Sequence, residues 1–254
     1  MPEQLLCTIV ETKKLNPHAI SITMEVGKLV PQVGQFIHVK CGEGHLLRRP
    51  ISICDWQEDE PQNLLRMVFE VRGEGTAWLA ERQVGDQLDI LAPLGHGFQI
   101  EPDGKYLLVG GGIGVPPMLA CAKAAGGRST AVLGFRNAER AMLLEDFREN
   151  CEQVVVMSDD GSLGEQGFVD AGVRRVLAEG GYTAVLACGP KIMLKKVAQA
   201  AAEYGVPCQV SMEERMGCGV GACLVCTCDM KDGTRKHVCK CGPVFNAEEV
   251  DWDA

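Results

Sequence analysis

Residues 107–118 read LLVGGGIGVPPM, an aliphatic run that passes through a glycine turn into a segment opening with two prolines. Proline suits the first turn of a helix, because the N–H groups there have no intrahelical partner. A strand, a glycine turn and a helix in this order are typical of a dinucleotide site, with the pyrophosphate at the helix N-terminus. Tight packing alone is the competing interpretation of these glycines.

The chain beyond this turn alternates predicted helices with predicted strands. The hydrophobic pattern predicts helices at 117–125, 143–149, 169–178 and 191–203, and strands at 106–109, 131–135, 154–157, 184–187 and 208–212. Such alternation indicates a parallel sheet with helices on both faces. Cys188-Gly189-Pro190 follows one of the strands, at the edge where open sheets of this kind bind ligands, and this second signal favours the dinucleotide interpretation.

The chain before the glycine turn has a different rhythm of short β-type runs separated by turns. Strands are predicted at 7–12, 19–26, 36–39, 51–54, 65–71 and 88–91, with one helix at 76–82. Six short strands in series indicate a small antiparallel barrel. The sequence therefore predicts a barrel followed by an α/β unit.

Composition limits the class of protein. The 254 residues are 46% hydrophobic and carry a net charge of 25 − 34 = −9, which excludes a disordered chain. No cluster of Lys and Arg is present, so nucleic acid and anionic membrane are not the expected partners. The first residues, MPEQLLC, have no signal-peptide pattern, and we expect a cytoplasmic protein.

Cysteine is the unusual residue, with 13 in the chain and six of them between residues 218 and 241. Residues 218–226 read CGVGACLVC, which has the C-x4-C-x2-C spacing of plant-type 2Fe–2S sites. The three glycines around this spacing let the backbone wrap closely and leave N–H groups free to donate to sulfur. The spacing leaves the fourth ligand open among Cys228, Cys239 and Cys241. A zinc site formed by Cys223 with Cys226 and by Cys239 with Cys241 is the alternative.

Several motifs in this order resemble the ferredoxin-reductase superfamily, and most closely the electron-transfer subunits of class B dihydroorotate dehydrogenases. The resemblance covers nearly the whole chain. Its most specific pieces are RRPISI at 48–53, GEGT at 73–76, PLGHGF at 93–98, SDDGS at 158–162, CGP at 188–190 and the tail 212–245. It implies an FAD-binding antiparallel barrel at 1–100, a Rossmann-like NAD-binding domain at 101–210 and a 2Fe–2S segment at 211–254.

The resemblance also implies the roles of individual residues. Arg49 would pair with the FAD pyrophosphate, Ser52 would lie near the flavin N5, and Cys188 with Ser52 would be the catalytic pair at the site of hydride transfer. The implied cofactor-binding set is Arg49, Pro50, Ile51, Ser52, Val68, Phe69, Glu70, Gly75, Thr76, Gly110, Gly111, Gly112, Gly114, Asp160, Gly189 and Pro190. The family tail places Cys239 as the fourth ligand after Cys218, Cys223 and Cys226.

The implied activity is electron transfer in pyrimidine biosynthesis. A separate FMN-containing subunit would oxidise dihydroorotate to orotate, and this chain would carry electrons through the 2Fe–2S cluster and FAD to NAD⁺ in a heterotetramer of two plus two subunits. Relatives serving NAD(P)H–ferredoxin oxidoreductase, sulfide dehydrogenase or hydrogenase complexes are the alternative, and a zinc-stapled nucleotide-binding protein without enzymatic activity is a third. Arg136 follows the strand 131–135, where a positive charge suits NADP, so the choice between NAD and NADP stays open.

Overall fold

A computed structural model describes residues 2–254. Its first part is a closed barrel in which neighbouring strands are antiparallel, in the order β1-β2-β5-β4-β3-β6. The elements are β1 (Glu3–Lys14), β2 (Ala19–Glu25), β3 (Phe36–Val39), β4 (Arg49–Gln57), β5 (Leu64–Glu70), α1 (Glu74–Ala80) and β6 (Gln87–Leu94). The predicted six-stranded antiparallel barrel is confirmed.

Alternation of side chains explains why these strands close into a barrel. In β6, Leu88, Ile90 and Ala92 are fully buried in the barrel core, and the residues between them are less buried. In β3, Ile37 and Val39 join the same core. The other two residues of β3, Phe36 and His38, must therefore point away from the barrel interior. Both are buried, so another part of the chain covers this outer face.

The second part of the chain is a seven-stranded sheet in the order β10-β9-β8-β7-β11-β12-β15, parallel except at β15. Its elements are β7 (Tyr106–Gly111), α2 (Val115–Ala124), β8 (Gly127–Phe135), α3 (Leu144–Asn150), β9 (Cys151–Ser158), β10 (Glu165–Gln166), α4 (Val169–Leu177), β11 (Ala184–Cys188), α5 (Lys191–Glu203) and β12 (Cys208–Ser211). All six residues of β7 are buried, as expected for a central parallel strand covered on both faces. The predicted α/β unit is confirmed.

The cysteine-rich tail contains three short strands that were not predicted from its sequence. They are β13 (Thr227–Asp229), β14 (Arg235–His237) and β15 (Val244–Asn246). The first two form an antiparallel hairpin. The third pairs antiparallel with β12, with Val210 opposite Phe245, and so completes one edge of the large sheet.

The barrel and the sheet unit are joined by polar contacts as well as by packing. Lys123 on α2 forms an ion pair with Asp55 on β4, whose carboxylate is mostly buried. Arg66 on β5 forms a second ion pair, with Asp146 on α3, at 3.0 Å. These contacts hold the two units together beside a cleft.

In the described residues 2–254, none of the helices has both the length and the hydrophobicity needed to span a bilayer.

Candidate functional site

A cleft of about 750 Å³ lies between the barrel and the carboxyl ends of β7 and β11. Its walls come from β3, β4, β5, the turns after β7 and β11, and the start of the cysteine-rich tail. The predicted site residues that line it are Arg49, Pro50, Ile51, Ser52, Val68, Phe69, Glu70, Thr76, Gly111, Gly112, Gly114, Cys188, Gly189 and Pro190. Gly75, Gly110 and Asp160 are predicted site residues that do not line it.

Arg49 stands at the barrel end of the cleft, beside the N-terminal turn of α1. A Cβ atom at Gly75 would lie 2.7 Å from both Nε and Nη2 of Arg49, so only glycine leaves room for the guanidinium there. Gly75 therefore contributes to the site by admitting Arg49 and does not itself form the cleft wall. The arrangement directs a planar cation, suited to bidentate contact with phosphate, toward the cleft.

The polar side chains of Thr76 and Glu70, near Arg49, form hydrogen bonds and ion pairs with other residues of the chain. The Thr76 hydroxyl accepts the N–H groups of Arg72 and Gly73, at 2.9 and 3.1 Å, and donates to the Gly73 carbonyl. The Glu70 carboxylate forms ion pairs with Arg72 at 2.9 Å and Arg140 at 3.4 Å. Thr76 thus holds the turn together, and Glu70 holds two arginines at the cleft.

The glycines of the turn after β7 have two different roles: some allow close packing of the backbone, and one leaves space for a ligand. A Cβ atom at Gly110 would meet Val115 Cα at 2.8 Å, and one at Gly114 would meet the Cys188 carbonyl oxygen at 2.3 Å. Gly112 has a φ of +54° and nothing within 4 Å of its Cβ position. Gly112 is therefore where a ligand can approach the backbone, directly before the N-terminus of α2.

Cys188 and Ser52 face the cleft from opposite sides, one at the end of β11 and the other on β4. Burial raises the pKa of Cys188 to about 12, against the effect of a hydrogen bond with Ser211. Cys188 is therefore a neutral thiol at physiological pH and not a nucleophilic thiolate.

Asp160 is part of a turn and points elsewhere. Its carboxylate accepts the N–H and the hydroxyl of Ser162, at 2.9 and 2.6 Å, and these bonds lower its pKa. The preceding residue, Asp159, lines the cleft. The acidic group available to a ligand here is that of Asp159.

Four cysteine side chains of the tail come together as two pairs. A Cβ atom at Gly217, next to Cys218, would lie 3.2 Å from the Cys223 sulfur, and the Cys239 N–H donates to the Cys226 sulfur at 3.4 Å. Backbone N–H groups point at these sulfurs: Ala222 donates to Cys218 at 3.2 Å and Gly221 to Cys239 at 3.1 Å. Thiols in two pairs with N–H donors on sulfur suit a cluster of two irons, each held by one pair.

The remaining two cysteines of the tail lie outside this group. Cys228 is buried in the hairpin, 3.8 Å from the sulfur of Met230, and Cys241 is exposed. Burial raises the pKa of Cys228 to about 11. Among residues 2–254, His, Cys, Asp and Glu side chains do not form a ready-made group of three around one metal ion.

Two comparisons of the whole chain and one of its tail point to one family. Residues 213–251 match the family model described as the iron-sulfur cluster binding domain of dihydroorotate dehydrogenase B. The electron transfer subunit of dihydroorotate dehydrogenase B (NAD(+)) from Geobacillus thermodenitrificans is 40% identical over 258 residues, covering 96% of each chain. The subunit of the same name from Caldanaerobacter subterraneus subsp. tengcongensis is 37% identical over 246 residues, covering 95% of this chain and 96% of that protein.

The chain belongs to the family of dihydroorotate dehydrogenase B electron-transfer subunits.

Solved structures place this family in the ferredoxin-reductase fold. An NADH-dependent reduced ferredoxin-NADP oxidoreductase matches with a TM-score of 0.87 and 33% identity over 98% of this chain and 91% of that one. The ferredoxin reductase of carbazole 1,9a-dioxygenase matches with a TM-score of 0.69 and 22% identity over 81% of this chain and 67% of that one, which shows the fold alone. The predicted family and fold class are both confirmed.

In this dihydroorotate dehydrogenase B family member, the cleft also contains residues absent from the predicted set. They are Phe36, Arg72, Ile113, Arg136, Arg140, Asp159, Ser211, Met212, Glu213, Glu214, Met216 and Pro243. Arg72 directly precedes the GEGT turn, and Glu213 and Glu214 follow β12 after Met212. Their positions next to a motif or a strand end are the only sequence signal that could have marked them as site residues. Charged residues in such positions are otherwise typical of solvated loops, which is why the sequence does not select them.

Proposed function

We propose that this chain is the electron-transfer subunit of an NAD-dependent dihydroorotate dehydrogenase. It passes electrons between a partner FMN subunit, which oxidises dihydroorotate to orotate, and NAD⁺, through a 2Fe–2S cluster and FAD. The observation that carries the proposal is that one cleft is walled by the barrel, the dinucleotide-type turn and the start of the cysteine-rich tail. Three groups that exchange electrons can thus lie side by side.

FAD would occupy the barrel side of the cleft. Arg49 would bind its pyrophosphate, with Thr76 keeping the adjacent turn in place and Gly75 leaving the guanidinium its space. Pro50, Ile51 and Ser52 would lie along the flavin from β4, and Val68, Phe69 and Glu70 from β5. When bound, the flavin would supply the exchange of two electrons with nicotinamide and of the same two electrons, one at a time, with the cluster.

NAD would occupy the sheet side. The turn Gly111-Gly112-Ile113-Gly114 would receive the pyrophosphate, and Cys188, Gly189 and Pro190 would lie beside the nicotinamide end. Ser52 and the neutral Cys188 thiol would hold the flavin and nicotinamide rings in contact from the two walls, which excludes water from the transfer path. Arg136 also lines the cleft on this side, and a direct comparison of NADH with NADPH measures the nucleotide preference.

The cluster would be held by Cys218, Cys223, Cys226 and Cys239. The contacts of Cys239 with the other cysteines support this set over the zinc alternative: its N–H donates to the Cys226 sulfur, and its own sulfur accepts the N–H of Gly221 in the loop between Cys218 and Cys223. We also propose the predicted division into segments 1–100, 101–210 and 211–254 as the units that bind FAD, NAD and the cluster.

A partner subunit would approach over the cysteine loop. Val220, Leu224 and Val225 surround the thiol pairs and are 45, 65 and 55% exposed. Exposed aliphatic side chains grouped in this way are typical of protein interfaces. A heterotetramer of two subunits of each kind, in the reducing cytoplasm where 13 free cysteines persist, would complete the enzyme.

A second candidate is an NAD(P)H–ferredoxin oxidoreductase subunit with the same cofactors and another partner. The match to the ferredoxin-NADP oxidoreductase structure, at 33% identity, is the observation that supports this second candidate. Identity is higher, at 40%, with the dihydroorotate dehydrogenase relative, and this supports the first candidate.

The test is the visible spectrum of the anaerobically purified protein, together with its iron and flavin content. We expect flavin bands and a broad cluster absorption, both bleached by NADH. A colourless protein with zinc and no iron would contradict the proposal. Co-purification with an FMN subunit and dihydroorotate-dependent reduction of NAD⁺ separates the first candidate from the second.

A further inference from the structure

The outer face of β3 joins the FAD side of the molecule to the cysteine-rich tail. Phe36 lines the cleft and lies beside Pro243, because both would crowd a Cβ atom at Gly95. His38 is two residues further along the same face, roughly 7 Å away by the rise of a strand. One short strand therefore touches the flavin site with one side chain and the cysteine loop with the next.

His38 is completely buried, and neither ring nitrogen has a hydrogen-bond partner of ordinary geometry within residues 2–254. A neutral imidazole carries one N–H donor and one acceptor nitrogen. Burying a hydrogen-bond donor without a partner costs free energy. Leucine would fill this space without that cost, so packing alone does not explain a histidine at this position.

The ring lies directly against the turn that carries the first cysteine. Gly219 has a φ of +74°, and a Cβ atom there would stand 2.6 Å from Nδ1 of His38. The next residues of the turn donate to sulfur: Val220 N–H to Cys218 at 3.4 Å and Ala222 N–H to the same sulfur at 3.2 Å. The imidazole thus supports the one stretch of backbone whose N–H groups surround the Cys218 sulfur.

The backbone of His38 is itself held firmly. Arg48 donates to the His38 carbonyl at 3.3 Å and to the Asp89 carbonyl at 2.8 Å, and its guanidinium forms an ion pair with the Asp89 carboxylate at 2.7 Å. His38 also lies between Pro50 and Leu91 in the barrel register. The ring is therefore presented to the cysteine turn by a rigid strand.

We propose that His38 is a positioning residue for the cluster: its unpartnered N–H engages the turn at residues 218–219 when the cluster is bound, and so fixes the backbone whose N–H groups donate to the Cys218 sulfur. This inference rests on the proposed function, since it takes Cys218 as a cluster ligand. Hydrogen bonds to ligand sulfur raise the reduction potential of an iron-sulfur cluster and stabilise it. His38 would thereby tune the electron step between the two cofactors without touching either.

The test uses the complex purified without oxygen and compares His38→Phe, which fills the space without a donor, with His38→Gln, which restores an N–H. We expect His38→Phe to move the cluster potential to a more negative value, change its EPR spectrum and release iron at least tenfold faster in air. His38→Gln should return all three toward wild type. His18→Phe, in the turn between β1 and β2, is the matched control and should change none of them.

A second pair of variants decides the matter if His38→Phe does not fold, which loss of bound FAD would reveal. Gly219→Ala and Gly233→Ala both place a side chain at a positive φ, +74° and +78°, but only the first meets His38. We expect Gly219→Ala to reproduce the cluster defects and Gly233→Ala to leave the potential unchanged. A wild-type potential, EPR spectrum and iron retention in His38→Phe, or equal effects of the two glycine variants, would overturn the positioning role. Wild-type protein without iron would instead overturn the proposed function.

Discussion

The guanidinium of Arg49 lies over the backbone of Gly75, so closely that a methyl group on Gly75 would stand 2.7 Å from Nε of Arg49. The two residues come from different motifs of the sequence. In the structure they act together, because the space left by Gly75 lets the Arg49 guanidinium reach the cleft. Their dependence on each other leads to the first prediction.

We expect Gly75→Ala to weaken FAD binding about tenfold, which corresponds to about 1.4 kcal/mol. The flexible end of Arg49 can move away from the new methyl group, so the fold should survive while the phosphate contact is displaced. Gly73→Ala is the control, because nothing lies within 4 Å of its Cβ position. Flavin content and the FAD dissociation constant are the measurements, and equal affinities in the two variants would contradict the role of Arg49.

The thiol pairs predict which cysteines the cluster needs. Cys239→Ser should lose most of the iron, because it removes the partner of Cys226. Cys228→Ser and Cys241→Ser should keep a full complement, because the Cys228 thiol is directed to Met230 and the Lys236 carbonyl in the hairpin, and Cys241 lies outside the two pairs. Iron analysis of the three proteins checks this, and iron loss in Cys241→Ser alone would show that the fourth ligand is wrongly assigned.

The neutral Cys188 thiol predicts a role in orientation. We expect Cys188→Ala to slow NADH-dependent flavin bleaching by about 10- to 100-fold, the scale of a small misplacement of reacting groups, with unchanged FAD content. The contribution of Cys188 should not vary between pH 6 and 9, since burial raises its pKa to about 12. Cys151→Ser, at the opposite end of the sheet, is the control in stopped-flow measurements. A contribution of Cys188 that titrates near pH 8 would refute the neutral thiol.

Buried thiols should make the protein sensitive to alkali. Burial raises the pKa of Cys54 from 9.0 to about 12, so between these values the thiol ionises in the unfolded chain but stays protonated in the fold. The free energy of unfolding therefore falls as pH rises above 9, by about 1.4 kcal/mol per pH unit for each such thiol. In melting experiments from pH 8 to 11, Cys54→Ala should lose less stability per pH unit than wild type. Val84→Ala, which changes an exposed side chain without a titratable group, should match the wild-type slope.

The ion pair between Lys123 and Asp55 should stabilise the junction of barrel and sheet. Lys123→Ala leaves the mostly buried Asp55 carboxylate unpaired, and we expect a loss of about 1–3 kcal/mol. Lys28→Ala removes a pair whose side chains are 62 and 87% exposed, and should cost no more than about 0.5 kcal/mol. The thermal midpoints of the two variants measure the difference, and equal midpoints would show that the junction pair contributes nothing special.

The fold was predictable because its signals are local. Alternating burial along strands such as β6, and the glycine turn between β7 and α2, are written in neighbouring residues. The strand β15 was not predictable, since its three residues carry no periodicity and acquire their structure by pairing with β12. Tertiary pairing of this kind has no counterpart in a short stretch of sequence.

Site residues that belong to sequence motifs could be predicted. Those whose role depends on which partner their side chain binds could not. Cys188 and Gly112 line the cleft as their motifs suggest, but the choice of Asp159 over Asp160 depends on a turn in which Ser162 takes one carboxylate. Arg140, one of the two arginines that pair with Glu70, is 70 residues away from it in the chain, and His38 is a single polar residue in a hydrophobic strand. Only the packed structure shows what each of them faces.

The antiparallel pairing of β15 with β12 bears on how the molecule is made and how it evolves. Synthesis proceeds from the N-terminus, so β12 remains an unpaired sheet edge until residue 246 has been added, and unpaired edges invite association with other chains. Cys239 lies five residues before β15, so closing that edge also places the last cysteine of the two pairs. A tail transplanted from a relative must therefore fit the host sheet as well as carry the cysteines, and natural recombination at this boundary should be rare.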